Sequence, residues 1–126
     1  MKLLIVDDNA AVRRLIRSIV LPFACEIYDC ADGADALSAY QAHRADVVLM
    51  DIRMNGIQAV RQIKAADPEA KIVIVTDYDD ESLRHAAMRA GACSYVLKDN
   101  LLELSGLLDS IKRSIAGQPE PESSED

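Results

Sequence analysis

No run of about 18 apolar residues occurs in the chain, and the opening KLLIV is followed at once by two aspartates, which suits neither a membrane span nor a secretory signal. A cytosolic setting without a membrane partner is expected. Cysteine is sparse too: Cys25, Cys30 and Cys93 show no CxxC spacing, and neither His43 nor His85 stands at a separation typical of a zinc site. The cysteines therefore read as small buried hydrophobes in or beside strands. A basic face is also missing. Of the formal net charge of −7, Glu120, Glu122, Glu125 and Asp126 supply the part that belongs to the tail. Nothing in this balance favours direct nucleic-acid binding. No internal repeat is apparent, and no linker leads to a second domain.

What the chain does have is alternation. At 126 residues and half hydrophobic, it suits one domain with a real core. Leu3 to Val6 reads as a first strand, followed by a helix whose stripe is Val12, Leu15, Ile16, Ile19 and Val20, ended by Pro22. Glu26 to Cys30 is a short second strand and Ala34 to His43 a helix. Asp46 to Met50 is the third strand, after which Asn55 is placed to cap a helix that Pro68 excludes from continuing. Lys71 to Val75 is the fourth strand. Glu81 to Ala90 is a helix with a thin stripe of Leu83, Ala86, Ala87 and Ala90, and Gly91 suits its left-handed end. Ser94 to Leu97 is the fifth strand, and Leu101, Leu104, Leu108, Ile111 and Ile115 mark the last helix. The remaining GQPEPESSED has the composition of a disordered tail. Five strands alternating with five helices predict an α/β fold, a doubly wound parallel sheet with helices on both faces.

The polar residues sit where the apolar runs stop. Asp7 and Asp8 follow KLLIV, Asp51 follows DVVLM, Thr76 follows KIVIV, Lys98 follows SYVL, and a helix-opening turn surrounds Gly56. In open α/β sheets the carboxyl ends of the strands bind ligands, so these side chains should gather in one acidic pocket with one lysine. Three carboxylates brought together repel one another unless a cation sits among them. Oxygen donors without His or Cys point to Mg²⁺ or Mn²⁺, which keeps waters for a phosphate to displace. With the Lys98 ammonium opposite and the Thr76 hydroxyl nearby, such a pocket suits phosphoryl transfer, and Asp51 could take the group as an aspartyl phosphate. Taken singly, each of these residues reads as an ordinary cap or turn residue. Independent turns would not be expected to supply three acids, a hydroxyl and an amine at the same end of one sheet.

In this ordered pattern, over residues 1–116, the chain resembles the receiver domains of two-component response regulators. DIRM and VTDYDDESLRHAAMRAGACSYVLKDN look most like receivers that precede helix-turn-helix output domains of transcription regulators. The resemblance implies a flavodoxin-like sheet of order 2-1-3-4-5 and a cytoplasmic switch that accepts a phosphoryl group from a sensor histidine kinase. It makes Asp51 the phosphoacceptor, with Mg²⁺ held by Asp8, Asp51, water-linked Asp7 and the backbone carbonyl of Arg53. Thr76 and Lys98 would contact the phosphoryl oxygens, and Tyr95 would be the aromatic whose rotamer follows Thr76. By the same resemblance the domain would assist its own phosphorylation and dephosphorylation and would not be a turnover enzyme. A homodimer through the fourth and fifth helices, an output domain or a partner protein would read the switch.

Two departures stand out. Relatives usually have a longer turn after DIRM, whereas this chain passes directly from Met54 to Asn55-Gly56. The shortening either repositions the Arg53 carbonyl and weakens the metal, is absorbed by a later helix start, or reflects lost residues. Asp77 stands where a small residue is usual. These features keep open a phosphorylation-independent interaction module as the alternative function. A phosphohydrolase using an aspartate nucleophile would want a second carboxylate at position 53, where this chain has arginine.

Overall fold

The computed structural model describes residues 1–53 and 55–116. Among these, the strands are β1 (Lys2–Val6), β2 (Glu26–Cys30), β3 (Val47–Met50), β4 (Lys71–Thr76) and β5 (Ser94–Leu97). They alternate with helices α1 (Ala10–Val20), α2 (Ala36–His43), α3 (Gly56–Ala66), α4 (Glu81–Ala90) and α5 (Glu103–Ala116). All neighbouring strands are parallel and the order is β2-β1-β3-β4-β5, as expected. The disorder expected for residues 117–126 concerns a segment outside the described residues.

Period-two alternation sorts the strand side chains into two cores. Leu4, Val6, Val48, Met50, Ile72 and Ile74 belong to a cluster with Val60 and Ile63 of α3 and Ala87 of α4. Leu3, Ile5, Val47, Leu49, Val73 and Val75 belong to the other, with Ile16 and Val20 of α1 and Leu104 and Leu108 of α5. Because both faces are covered, the central strands are apolar throughout and almost fully buried. That burial leaves polar side chains one place to go, the ends of the strands.

Local chemistry sets the helix boundaries. Asn9 caps α1, its side-chain oxygen accepting from the Ala11 and Val12 amides, while Asp80 caps α4 through the Leu83 amide. Gly91 ends α4 at φ +119°, a conformation that favours glycine. Several expectations need correction. Leu15 is 51% exposed, because the buried line of α1 runs through Ile16 and Val20 and Leu15 lies off it. Cys25 and Cys93 are exposed and Cys30 is only partly buried, since the first two lie in loops and the third ends an edge strand. The segment Gly33–Asp35 forms a single 3₁₀ turn before α2, closed by the Asp32 side chain on the Ala34 amide. Asn55 does not cap α3 with its side chain; it adopts the left-handed conformation at φ 67°.

The end of the sheet remote from the strand carboxyl termini is tied by the Tyr40 hydroxyl donating to Asp67 Oδ2 at 2.6 Å. This hydrogen bond is the main cause that holds the Asp67 carboxyl below its ordinary pKa, helped by the Glu69 amide. A lowered folded pKa contributes stability above the unfolded value and loses it as pH falls through the folded one. Tyr40→Phe should therefore move the Asp67 titration midpoint upward in a carboxyl-detected NMR titration. Truncation at neighbouring positions should separate core from surface. Leu104→Ala, at a fully buried site, should cost about 2–5 kcal/mol in urea unfolding, whereas Leu102→Ala, 82% exposed, should stay within about 0.5 kcal/mol of the parent.

Candidate functional site

Sheet register builds the site. Val6 of β1 pairs with Met50 of β3, so the next residues, Asp7 and Asp51, leave adjacent strands side by side. Their backbones stay tied to the sheet, with the Asp51 amide donating to the Val6 carbonyl at 2.9 Å and the Asp7 amide to the Cys30 carbonyl at 3.1 Å. Thr76 pairs with Leu97, which delivers Lys98 one step beyond the end of β5. One carboxylate oxygen from each of Asp7, Asp8 and Asp51 then lies within 4.8 Å of the others. Asp7 and Asp51 are buried and Asp8 is exposed, so the cluster opens on one side.

Three carboxylates so close require positive charge. Lys98 Nζ approaches Asp7 Oδ2 at 2.8 Å, Asp51 Oδ2 at 3.5 Å and Asp77 at 4.0 Å, on a side chain only 9% exposed. Burial opposes its charge, but the close contact with Asp7 and the fields of Asp51, Asp7 and Asp77 outweigh it and hold the Lys98 pKa above its ordinary value. Asp7 Oδ1 accepts from the Asn9 amide at 2.9 Å. Its Oδ2 is buried with no well-aligned hydrogen-bond donor, facing Lys98 as an ion pair rather than a directed bond. An under-satisfied buried carboxylate oxygen beside two further carboxylates is a donor set that fits a hard divalent cation such as Mg²⁺ or Mn²⁺.

Arg53 contributes more than its position in the sequence suggests. Its amide donates to Asp51 Oδ1 at 3.1 Å, and its guanidinium reaches Asp51 Oδ2 through Nε at 3.3 Å and Nη2 at 3.2 Å. Nη2 also lies 3.7 Å from Asp8 Oδ1. Its carbonyl accepts from the Gly56 amide at 3.2 Å, closing the short turn that leads into α3. A Cβ on Gly56 would sit 2.3 Å from the Asp51 carbonyl oxygen, so the turn closes only around glycine.

Thr76 and Tyr95 form a separate chain of contacts. Thr76 is fully buried, and its hydroxyl oxygen accepts from the Tyr78 amide at 3.2 Å. The carbonyl of the same Tyr78 accepts from the Tyr95 hydroxyl at 2.7 Å. Tyr95 is 7% exposed, and the Arg84 guanidinium of α4 lies 4.6 Å over its ring. Asp77 is 57% exposed and turned to the rim.

Asp7, Asp8, Asp51, Arg53, Thr76, Tyr95 and Lys98 thus gather toward this end of the sheet. The side-chain role of Arg53 and the linking role of Tyr78 went unread. A basic residue two places after Asp51 was the available signal for the first; a main-chain donor and acceptor leaves none for the second.

Comparisons with known proteins bear on the family and the fold. The sequence model of the response regulator receiver domain matches residues 3–111. The chain is 40% identical over 106 residues to the oxygen regulatory protein NreC of Staphylococcus haemolyticus, covering 79% of this chain and 48% of that protein. It is 31% identical over 118 residues to the chemotaxis protein CheY of Bacillus subtilis, covering 90% and 97%. Among solved structures, a LuxR-family two-component response regulator from Aurantimonas sp. superposes with a TM-score of 0.81 at 28% identity, covering 90% of this chain and 85% of that one. The chain spans about half the length of NreC and nearly the whole of CheY.

The Gly56 contact is directly testable. Gly56→Ala should shift the backbone amide resonances of Asp51 and Arg53 and lower stability by about 1–3 kcal/mol, as overpacking typically does, measured by heteronuclear NMR and urea unfolding.

Proposed function

The chain belongs to the response regulator receiver domain family, and from that premise we propose that it is a phosphorylation-dependent switch whose phosphoacceptor is Asp51. The observation that supports this reading best is the convergence of Asp7, Asp8 and Asp51 within 4.8 Å, with Lys98 reaching both buried acids. The receiver unit is residues 1–116, followed by an acidic tail, and the setting is the cytoplasm.

Asp7, Asp8, Asp51 and the Arg53 carbonyl are the groups that would hold Mg²⁺. When bound, the ion neutralises phosphoryl oxygens from one side of the pocket. A carboxylate oxygen of Asp51 forms the new bond to phosphorus as the phosphorus–nitrogen bond of a kinase phosphohistidine breaks and the imidazole departs. Lys98, fixed by Asp7, supplies positive charge from the opposite side, and burial makes that charge more effective than it would be in water. The Thr76 hydroxyl has its proton free to donate to a phosphoryl oxygen while its own oxygen accepts from the Tyr78 amide. This set of roles makes the domain a participant in its own modification and not a turnover enzyme.

Signal leaves the site along the Thr76–Tyr78–Tyr95 contacts. Phosphorylation replaces the single negative charge of the Asp51 carboxylate with about two on the phosphoryl group. Drawing Thr76 toward it strains the bond to the Tyr78 amide, and the opposite edge of that residue holds the Tyr95 hydroxyl. The face made of α4, β5 and α5 thereby changes its preferred arrangement. The thin stripe of α4, where Ala87 is buried and the other small residues only partly so, gives that helix little anchoring against movement. In energetic terms the phosphate biases two pre-existing arrangements through contacts made in only one of them. The upstream partner is a sensor histidine kinase. The reader of the switch is an output domain or partner protein, transcriptional in kind given the regulators to which the chain is similar.

Incubation with a small acyl phosphate and Mg²⁺ should add one phosphoryl group, about 80 Da in intact mass, to the parent protein and not to Asp51→Asn. Equal labelling of the variant at the same site would remove Asp51 from this role.

A further inference from the structure

We propose that Arg53 is a tethered competitor for the divalent cation, its guanidinium occupying the open side of the acidic cluster until a metal displaces it. The inference rests on reading Asp7, Asp8 and Asp51 as the metal-binding set. Its support is positional. The guanidinium bridges two members of that set, 3.2 Å from Asp51 Oδ2 and 3.7 Å from Asp8 Oδ1. Lys98 serves the third, Asp7, at 2.8 Å. Two cations therefore divide three carboxylates between them, and an incoming ion meets oxygens already partly neutralised.

The backbone explains why the arginine sits there. The Arg53 amide is bound to Asp51 Oδ1 and the Arg53 carbonyl is bound by the Gly56 amide, so the residue is pinned on both sides. Nearby, Gly56 packs against the Asp51 carbonyl and Asn55 takes a left-handed conformation. From a Cα held this close to Asp51, a long side chain folds back over the carboxylates. The two cations differ in freedom: the Lys98 side chain is 9% exposed and the Arg53 side chain 37%. Arg53 can leave toward solvent, whereas Lys98 is enclosed. A guanidinium stays charged across the accessible pH range, so departure, and not deprotonation, is its way of yielding the site.

Metal binding followed by calorimetry, with Mn²⁺ as the probe, tests this without any phosphorylation step. Arg53→Gln should bind Mn²⁺ roughly tenfold more tightly than the parent, because a charge-assisted pair no longer has to be broken. Arg61→Gln, an exposed charge on α3, should change affinity less than about twofold. Unchanged or weaker binding by Arg53→Gln, with the parent still binding, would overturn the competitor role and leave the metal site intact. An equal gain from Arg61→Gln would also overturn it, by reducing the effect to net charge. Binding by neither the parent nor Arg53→Gln would overturn the metal reading itself and the inference with it.

Discussion

Crowding of like charge is the constraint on which the rest of this structure depends. Parallel pairing of β1 with β3 places Asp7 and Asp51 side by side at the edge of a dry core, and both are buried. Carboxylates in such a place are tolerated only with compensation. Lys98 provides the fixed part of it, and the length of β5 is what delivers that lysine. The sheet, the two apolar cores beside it and the register between strands all serve to hold an electrostatically unfavourable group of atoms in one place.

The surroundings of that group divide into rigid and yielding parts. On the rigid side, the aspartates are tied by main-chain bonds to neighbouring strands, and Gly56 closes against Asp51 with no room for a side chain. On the yielding side, Arg53 and Asp8 are solvent-accessible, and α4 is anchored chiefly by small residues. The proposed switch, which admits an anion and passes on its arrival, needs both properties, since fixed charges give strong electrostatics and loosely held elements give somewhere for the response to go.

Much of this was legible in the sequence because burial and charge change at the same residues. The runs KLLIV, DVVLM, KIVIV and SYVL end where their strands end, within a residue, and the polar side chains that follow lie at one end of the sheet. Leu15 misled because an apolar residue on a short helix satisfies the periodicity without facing the core. The cysteines misled because small hydrophobes are buried by position, and two of these three lie in loops. Asn55 has the composition of a cap but the backbone of a left-handed turn, a distinction that composition does not carry. Arg53 was read for its carbonyl alone, since where a long side chain falls depends on the tightness of a turn that only three dimensions reveal.

The stacking of Arg84 on Tyr95 has one more implication. The tyrosine is held at its tip by the Tyr78 carbonyl and over its ring by a cation from α4. Arg84 is thus shared between the interior and the helix surface, where a macromolecule can touch it. In the proposed switch thermodynamic reciprocity operates backwards: a protein that grips α4 and changes how Arg84 sits would alter the affinity at the acidic end by the same factor that occupancy there alters its own grip. Under that scheme downstream company becomes an input, and the same chain would gain or lose sensitivity according to what it is already holding.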